Sequence, residues 1–385
     1  MERTKQLSEW FSFEHHVKFP DRPVVSCPFL FTQNTGREEI RLIQEPIQPA
    51  PFCPVSDTTI RENQQFRYVV FAPDQCARFD RAIILLHGLN ERSWLKYLAW
   101  AEELVMTCGV PVILFPIAFH MNRTPATWYT PRWLMPWLNR RKQEIKDLCN
   151  ASFFNVALSS RLSASPLRFY SSGLESAYNL LQLIMELKQG EHPLFSEDVR
   201  VDFFAYSIGA LLVQVLLMAD PEKCLGASRL FTFCGGSVFE RMNGNSRDII
   251  DQEAYLRIRE FYLNDFLLAG HTQQTDKQPQ TACMLFTEAF RAMIPSLDHG
   301  GKRQAFFSQA QERIRMVSLR QDIVIPTCGV REAVGCLLAD YMVEELEFPY
   351  PCTHQVPFPD NGKIDPSEVM ISFRAVFERA ARFLA

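Results

Sequence analysis

The sequence predicts an α/β fold, a mostly parallel sheet covered on both faces by helices. Three observations carry this. Short continuous apolar runs, at residues 82–86 (AIILL) and 110–117 (VPVILFPI), have the length of strands and lack alternation, as strands buried on both faces do. Segments of helical periodicity, at 94–107, 173–188 and 208–218, lie between such runs. Alternation of the two builds parallel sheets through crossover connections.

Taken in order, residues 1–60 read as irregular, broken by Pro20, Pro23, Pro28, Pro46, Pro49, Pro51 and Pro54, with one short strand at 39–43. This stretch is expected to wrap a main domain at 61–385. Residues 66–71 (FRYVVF) begin the regular pattern as a strand. After the runs named above, Ser172 is placed to cap the helix at 173–188. A strand at 199–205 and a strongly apolar helix at 208–218 follow. Strands at 230–234, 314–319 and 341–348 and a last helix at 366–384 complete the set. Two long segments interrupt the alternation: 121–168, rich in Trp, Pro and Arg, and 239–313, mainly helical. Both leave the sheet after strands, and ligands of open α/β sheets bind beyond the strands' carboxyl ends. They are therefore expected to form a largely helical cap or lid over a site.

The net charge of −4 gives no electrostatic reason to expect nucleic acid or an anionic membrane as partner. The local basic cluster Arg140, Arg141, Lys142 reads as a solvated helix start. The 11 cysteines show no C-x-x-C spacing, which reads as free thiols in a reducing compartment. The N-terminus lacks the apolar region of a signal peptide, and no stretch of 18 uncharged apolar residues occurs. A cytoplasmic protein without a membrane span is expected. No Gly-rich phosphate loop, H-E-x-x-H motif or EF-hand loop is present, so no cofactor and no catalytic metal are expected.

The sharpest chemical signal is Phe204-Ala205-Tyr206-Ser207-Ile208-Gly209, set between a strand and a helix. A serine on such a turn, with small residues two positions to either side, has the pattern of a nucleophile elbow, here A-x-S-x-G in place of G-x-S-x-G. The competing reading is a buried serine in a packed turn. The second signal is His87-Gly88-Leu89-Asn90, directly after the run AIILL.

With these two motifs the sequence resembles the α/β-hydrolase superfamily over residues 66–355, apart from the two insertions, and in particular bacterial members of unassigned substrate. The resemblance implies a doubly wound sheet and serine hydrolase chemistry of the carboxylesterase or lipase kind. It implies backbone N–H donors at Leu89 and Ile208 for an oxyanion hole, with His87 fixing the loop. The superfamily's chain order is Ser, then acid, then His. Asp322, in Arg320-Gln321-Asp322-Ile323-Val324-Ile325-Pro326 after the strand IRMVSL, matches the acid loop. His354, in Pro351-Cys352-Thr353-His354 after the run YMVEELEF, stands where the base is placed. The expected triad is Ser207, Asp322, His354.

Other titratable residues fit less well. His271 and His299 fall in the helical insertion, and His15, His16 and His192 in polar stretches expected to be exposed. Asp202 lies inside the nucleophile strand, and Asp340 precedes a strand. His120 follows the strand at 110–117, and with Asn122 and Arg123 it either contacts substrate or anchors the first insertion. Trp128, Trp133 and Trp137 with Met121 and Met135 either wall an acyl pocket or form the cap's own core. Tyr206, beside the serine, is a further candidate for substrate contact. The expected partner is a small-molecule ester or acyl substrate. An acyltransferase on the same triad and a non-catalytic binding protein on this fold remain open alternatives.

Overall fold

A computed structural model describes residues 2–50, 52, 55–75, 78–266 and 281–385; His271 and part of the second insertion lie outside the described residues. Nine strands form one sheet: β1 (Val17–Lys18), β2 (Val24–Thr32), β3 (Gln65–Pro73), β4 (Phe79–Leu86), β5 (Val112–Leu114), β6 (Phe195–Tyr206), β7 (Leu230–Phe233), β8 (Ile314–Leu319) and β9 (Val343–Leu346). Their spatial order is β1-β2-β3-β5-β4-β6-β7-β8-β9. The first three strands pair antiparallel, and β3 meets β5 antiparallel. From β5 through β4, β6, β7 and β8 to β9 every pairing is parallel.

The central strands are apolar on both faces because both faces are covered. Residues Ala82 to Leu86 of β4 are all buried, as are the last six residues of β6. On one face the helices Leu167–Lys188 and Ile208–Ala219 supply Leu180, Ile184, Val213 and Leu216 to the core. On the other face Leu95–Cys108 and Pro366–Leu384 supply Trp100, Leu104, Phe373 and Phe377. This strand order, parallel core and two-sided cover make up the α/β-hydrolase fold.

Several local expectations are corrected. Residues 39–43 are not a strand but part of the helix Arg37–Gln44. Ile40 and Gln44 lie four apart on one buried face while Glu38 and Arg41 face outward, a period that a five-residue window hides. The Pro-rich N-terminal stretch also contributes β2, which pairs with β3 over nine residues and includes Pro28. Pro28 is tolerated because β1 covers only Val25 and Ser26, leaving Pro28 near an open edge. The helix before β6 begins at Leu167, six residues earlier than expected. Pro166 pre-sets φ at its start, and the Ser172 hydroxyl, well inside the helix, donates to the Phe169 carbonyl instead of capping. The last strand is shortened to β9 because residues up to Met342 belong to the helix Cys336–Met342.

The basic cluster is not a solvated helix start. It occupies the later part of the helix Pro131–Glu144, and Arg141 is buried. Its guanidinium donates to both oxygens of Asp251, at 2.6 and 2.8 Å. The same carboxylate caps the helix Gln252–Glu260 by accepting the Ala254 N–H. One bidentate pair thus joins the two long insertions. His192 is likewise buried, not exposed, packed between Phe29 and Phe195. Nine described cysteines are free thiols, and among the described residues no helix is long and apolar enough to cross a membrane.

Removing one partner of a buried ion pair strands the other charge. Asp251→Ala is therefore expected to lower the unfolding free energy by about 3–5 kcal/mol, read by urea denaturation. The double variant Arg141→Met/Asp251→Leu should lose much less. Equal losses in the two would mean that the pair itself, and not a stranded charge, dominates.

Candidate active site

The site forms where strands end. At the end of β6 the backbone turns sharply into the helix Ile208–Ala219, and Ser207 at the turn has φ 56° and ψ −122°. A residue with a side chain rarely adopts such values, and neighbours must hold it there. Gly209 passes under the end of β4: a Cβ on it would lie 2.9 Å from both the His87 carbonyl oxygen and the Leu86 Cβ. Gly235, just after β7, is closer still: its Cβ would meet the Ala210 Cβ at 2.6 Å and the Ser207 N and O at 2.9 Å. Ala205, in contrast, is a regular member of β6, paired with Leu86 and Thr232. This is why alanine serves where the common pattern has glycine.

Ser207, His354 and Asp322 are brought together in one hydrogen-bonded chain. The Ser207 Oγ is 2.7 Å from His354 Nε2, and His354 Nδ1 is 2.7 Å from Asp322 Oδ2. A carboxylate only accepts, so Nδ1 carries the proton and Nε2 offers its lone pair to the serine hydroxyl. The other Asp322 oxygen accepts the N–H groups of Val324 and Ile325, both at 2.9 Å. The loop after β8 thereby fixes the carboxylate. All three side chains are buried. Tyr206 stacks on the His354 ring at 5.3 Å, and its hydroxyl donates to the His354 carbonyl. The Cys234 thiol faces Asp322; burial, and then the carboxylate, push it well above the usual thiol value, so it stays protonated.

The loop after β4 is fixed from several sides. His87 is wholly buried; its Nδ1–H donates to the Gly88 carbonyl, and its Nε2 accepts the Ile117 N–H. Burial, reinforced by His120, holds its pKa well below the usual histidine range, so it is neutral. The Tyr97 hydroxyl accepts the Gly88 N–H at 3.1 Å and donates to Glu91 at 3.0 Å. Lys96 pairs with Glu91 and also donates to the Gln355 carbonyl, joining this loop to the one bearing His354. Leu89 stands next to Ile208 across the site, and both line the same two cavities. Ile208 is the first residue of its helix, so its N–H has no carbonyl a turn behind it.

The first cavity, of about 60 Å³, runs between the helices Leu167–Lys188, Ile208–Ala219 and Ala282–Ala292. The second, also of about 60 Å³, contains Ser207 and is bounded by residues 239–259 and by Val324 and Ile325. A smaller polar cavity of about 20 Å³ is lined by Thr124, Trp128, Tyr129 and Arg161. His120 borders both the first cavity and this polar one. Its Nδ1–H donates to the Ala118 carbonyl, its Nε2 has no partner among the described residues, and burial lowers its pKa to about 4.

The remaining candidates sit elsewhere. Asn122 donates to the Arg67 carbonyl and lines none of these cavities. Trp128 lies in the first insertion's own core with Leu134, Leu138 and Phe119, as does the partly buried Trp137, and Trp133 is exposed. Tyr206 is behind His354 rather than in a cavity. Asp202 is buried beside Arg81 and Arg200, Asp340 pairs with Arg331 on the surface, and His299 is exposed. Among the described residues no group of three or more His, Cys, Asp or Glu is placed to hold a metal ion. Sequence reasoning missed Tyr97, Lys96 and Gly235. Only Gly235 carries a signal, in the pair Gly235-Gly236 directly after an apolar strand.

The fold and the serine–histidine–aspartate contact chain together define an α/β-hydrolase-fold protein. Residues 36–385 match the Family of unknown function (DUF6051), and the chain belongs to that family. No curated protein matches the chain. Among solved structures, carboxyl esterase 2 of the mycorrhizal fungus Tuber melanosporum is 9% identical with a TM-score of 0.45, covering 100% of this chain and 98% of its own. The monoacylglycerol lipase of Paleococcus ferrophilus is 14% identical with a TM-score of 0.41, covering 82% and 98%. A Pyrobaculum calidifontis esterase is 11% identical with a TM-score of 0.39, covering 91% and 89%.

Two outcomes follow from this geometry. Gly235→Ala adds one methyl against the Ser207 backbone and should displace the turn, with loss of phosphonate labelling at Ser207 and a lower melting temperature; a variant that labels like the parent would show that the turn yields. The second concerns acid. His87, His120 and His192 are all held neutral below the usual histidine value, chiefly by burial, the latter two with pKa near 4. Between pH 6.5 and 4 the unfolded chain then binds protons that the folded chain refuses, so stability falls as pH falls through that window. His192→Phe should reduce the slope of unfolding free energy against pH there by about one proton; an unchanged slope would exclude His192 from the effect.

Proposed function

We propose that the protein is a serine hydrolase that cleaves an ester or related acyl bond through an acyl-enzyme. The observation that carries this reading is the unbroken contact chain Ser207–His354–Asp322, with both links at 2.7 Å. The Ser207 Oγ attacks the carbonyl carbon while His354 Nε2 takes the hydroxyl proton. The C–O π pair moves onto the carbonyl oxygen, which the N–H groups of Leu89 and Ile208 receive. The tetrahedral adduct collapses, the bond to the leaving oxygen breaks, and His354 returns the proton to that oxygen. Water then repeats the sequence on the acyl-enzyme and releases the acid. Asp322 holds the imidazole in the required tautomer and stabilises its cation. Each oxyanion donor of this kind contributes about 3–4 kcal/mol to the transition state.

The neutral state of His87 fits a role in positioning: an imidazole fully engaged by the Gly88 carbonyl and the Ile117 N–H has no free nitrogen for proton transfer. The loss of one triad member removes most of the effect of the whole unit. Ser207→Ala should therefore abolish labelling by a fluorophosphonate and lower turnover by about 10⁴–10⁶-fold, with circular dichroism unchanged. Asp322→Asn should stay folded and lose about 10⁴-fold in kcat, because the amide favours the wrong imidazole tautomer. Persistent labelling of Ser207→Ala would falsify the assignment.

A further inference from the structure

We infer that the substrate is an uncharged ester with two apolar arms, its acyl chain in the first cavity and its alcohol in the second; this rests on the serine hydrolase reading above. The two cavities meet along Leu89, Phe169 and Ile208, which line both. Leu89 and Ile208 are the residues whose N–H groups receive the carbonyl oxygen. The carbonyl therefore sits at the fork, and the two substituents of its carbon diverge into separate cavities.

Proton transfer decides which arm goes where. His354 Nε2 must reach the leaving oxygen, so the alcohol lies on the side of the Asp322–His354 pair. The second cavity is on that side: it contains Ser207 and is walled by Val324 and Ile325, the two residues whose N–H groups hold Asp322. The first cavity contains no residue of the loops bearing Asp322 or His354. It runs along the helix that starts at Ile208, past Leu211, Leu212 and Val215, to Phe286 and Phe290. An acyl chain there stays clear of the proton path and remains bound while water enters to release it.

The chemistry of the walls sets the class. Among the described residues no charged side chain lines the first cavity. Its Ser172 and Tyr170 hydroxyls are engaged within the protein, and His120 is neutral with its Nδ1–H given to Ala118. A carboxylate or phosphate on the acyl chain would lose its hydration there and gain no counter-charge. Among the described residues the second cavity has one cation, Arg259, which donates to the Glu240 carbonyl and lies over the Tyr255 ring; the rest of its wall is mostly aliphatic, with Met242, Ile249, Ile250 and Ile258.

The test uses the full chain and two ester series. In one, 4-nitrophenyl esters run from acetyl to decanoyl; in the other, butyrate esters carry alcohols of growing alkyl length. In both, kcat/KM is expected to rise along the series, by up to about fourfold per fully buried methylene. A succinyl half-ester should be turned over at least tenfold more slowly than the butyryl ester. Val215→Trp narrows the first cavity and should reduce the decanoyl-to-acetyl ratio at least tenfold. Ile258→Trp should instead shift the ratios among the alcohols. Should either variant fail to fold, the rate at which phosphonates of growing alkyl length label Ser207 in the parent gives the same information. A flat or falling acyl profile, a preferred succinyl ester, or a Val215→Trp that alters alcohol choice alone overturns the assignment of arms. Absence of both Ser207 labelling and turnover of any ester overturns the hydrolase reading instead, so the two failures are distinguishable.

Discussion

The structure depends on one strained turn. Ser207 holds a backbone conformation that costs a side-chain-bearing residue about 1–3 kcal/mol, and it persists because three strand ends close around it. The parallel register of β4, β6 and β7 brings the His87 carbonyl to Gly209 and the Gly235 backbone to Ser207 at distances that leave no room for a methyl group. The clamping segments are also the segments that carry the site. His87–Gly88 leads into Leu89, and Cys234, next to Gly235, abuts Asp322. Strain at the serine and placement of its partners are thus one construction, anchored in the most buried part of the sheet.

From that anchor the arrangement spreads by hydrogen bonds that each fix one atom. Asp322 is held through one oxygen by two backbone N–H groups and keeps the other for His354. Tyr206 holds the His354 backbone from behind, and Lys96 ties the same loop to the one after β4. The apolar cavities begin where these polar contacts end. Burial of His87 and His120 keeps both neutral.

The parallel core and the contact chain were legible because Ser207, Asp322 and His354 each follow a segment read as a strand, at 199–205, 314–319 and 341–348. Ser207, Asp322 and His354 could be ordered along the chain without knowing what touches what. Other features depend on partners far away in sequence. Arg141 looks solvated until Asp251, 110 residues on, is brought to it. His192 stands in a polar stretch, yet Phe29 of β2, distant in sequence, covers it. The proline in β2 hides a nine-residue pairing, because only the neighbouring strand shows that the edge beyond it is open. The tryptophans of the first insertion had two readings that composition could not separate: Trp128 lies in a buried cluster with Leu134 and Leu138 and also borders the polar cavity.

Asn90 gives the site a mechanical property that no single contact implies. Its backbone is held at φ 62° directly after Leu89, and its one side-chain amide nitrogen donates to Phe154 of the first insertion and to Asp248 of the second. Both overhanging segments are therefore tethered, through one nitrogen atom, to the residue adjoining the Leu89 N–H. A displacement of either segment pulls on that tether and tilts the peptide beside it. Sequence drift in the two segments is consequently not independent of the loop beneath them: an insertion or deletion that shifts Phe154 or Asp248 by an ångström reaches Leu89 through a lever one residue long.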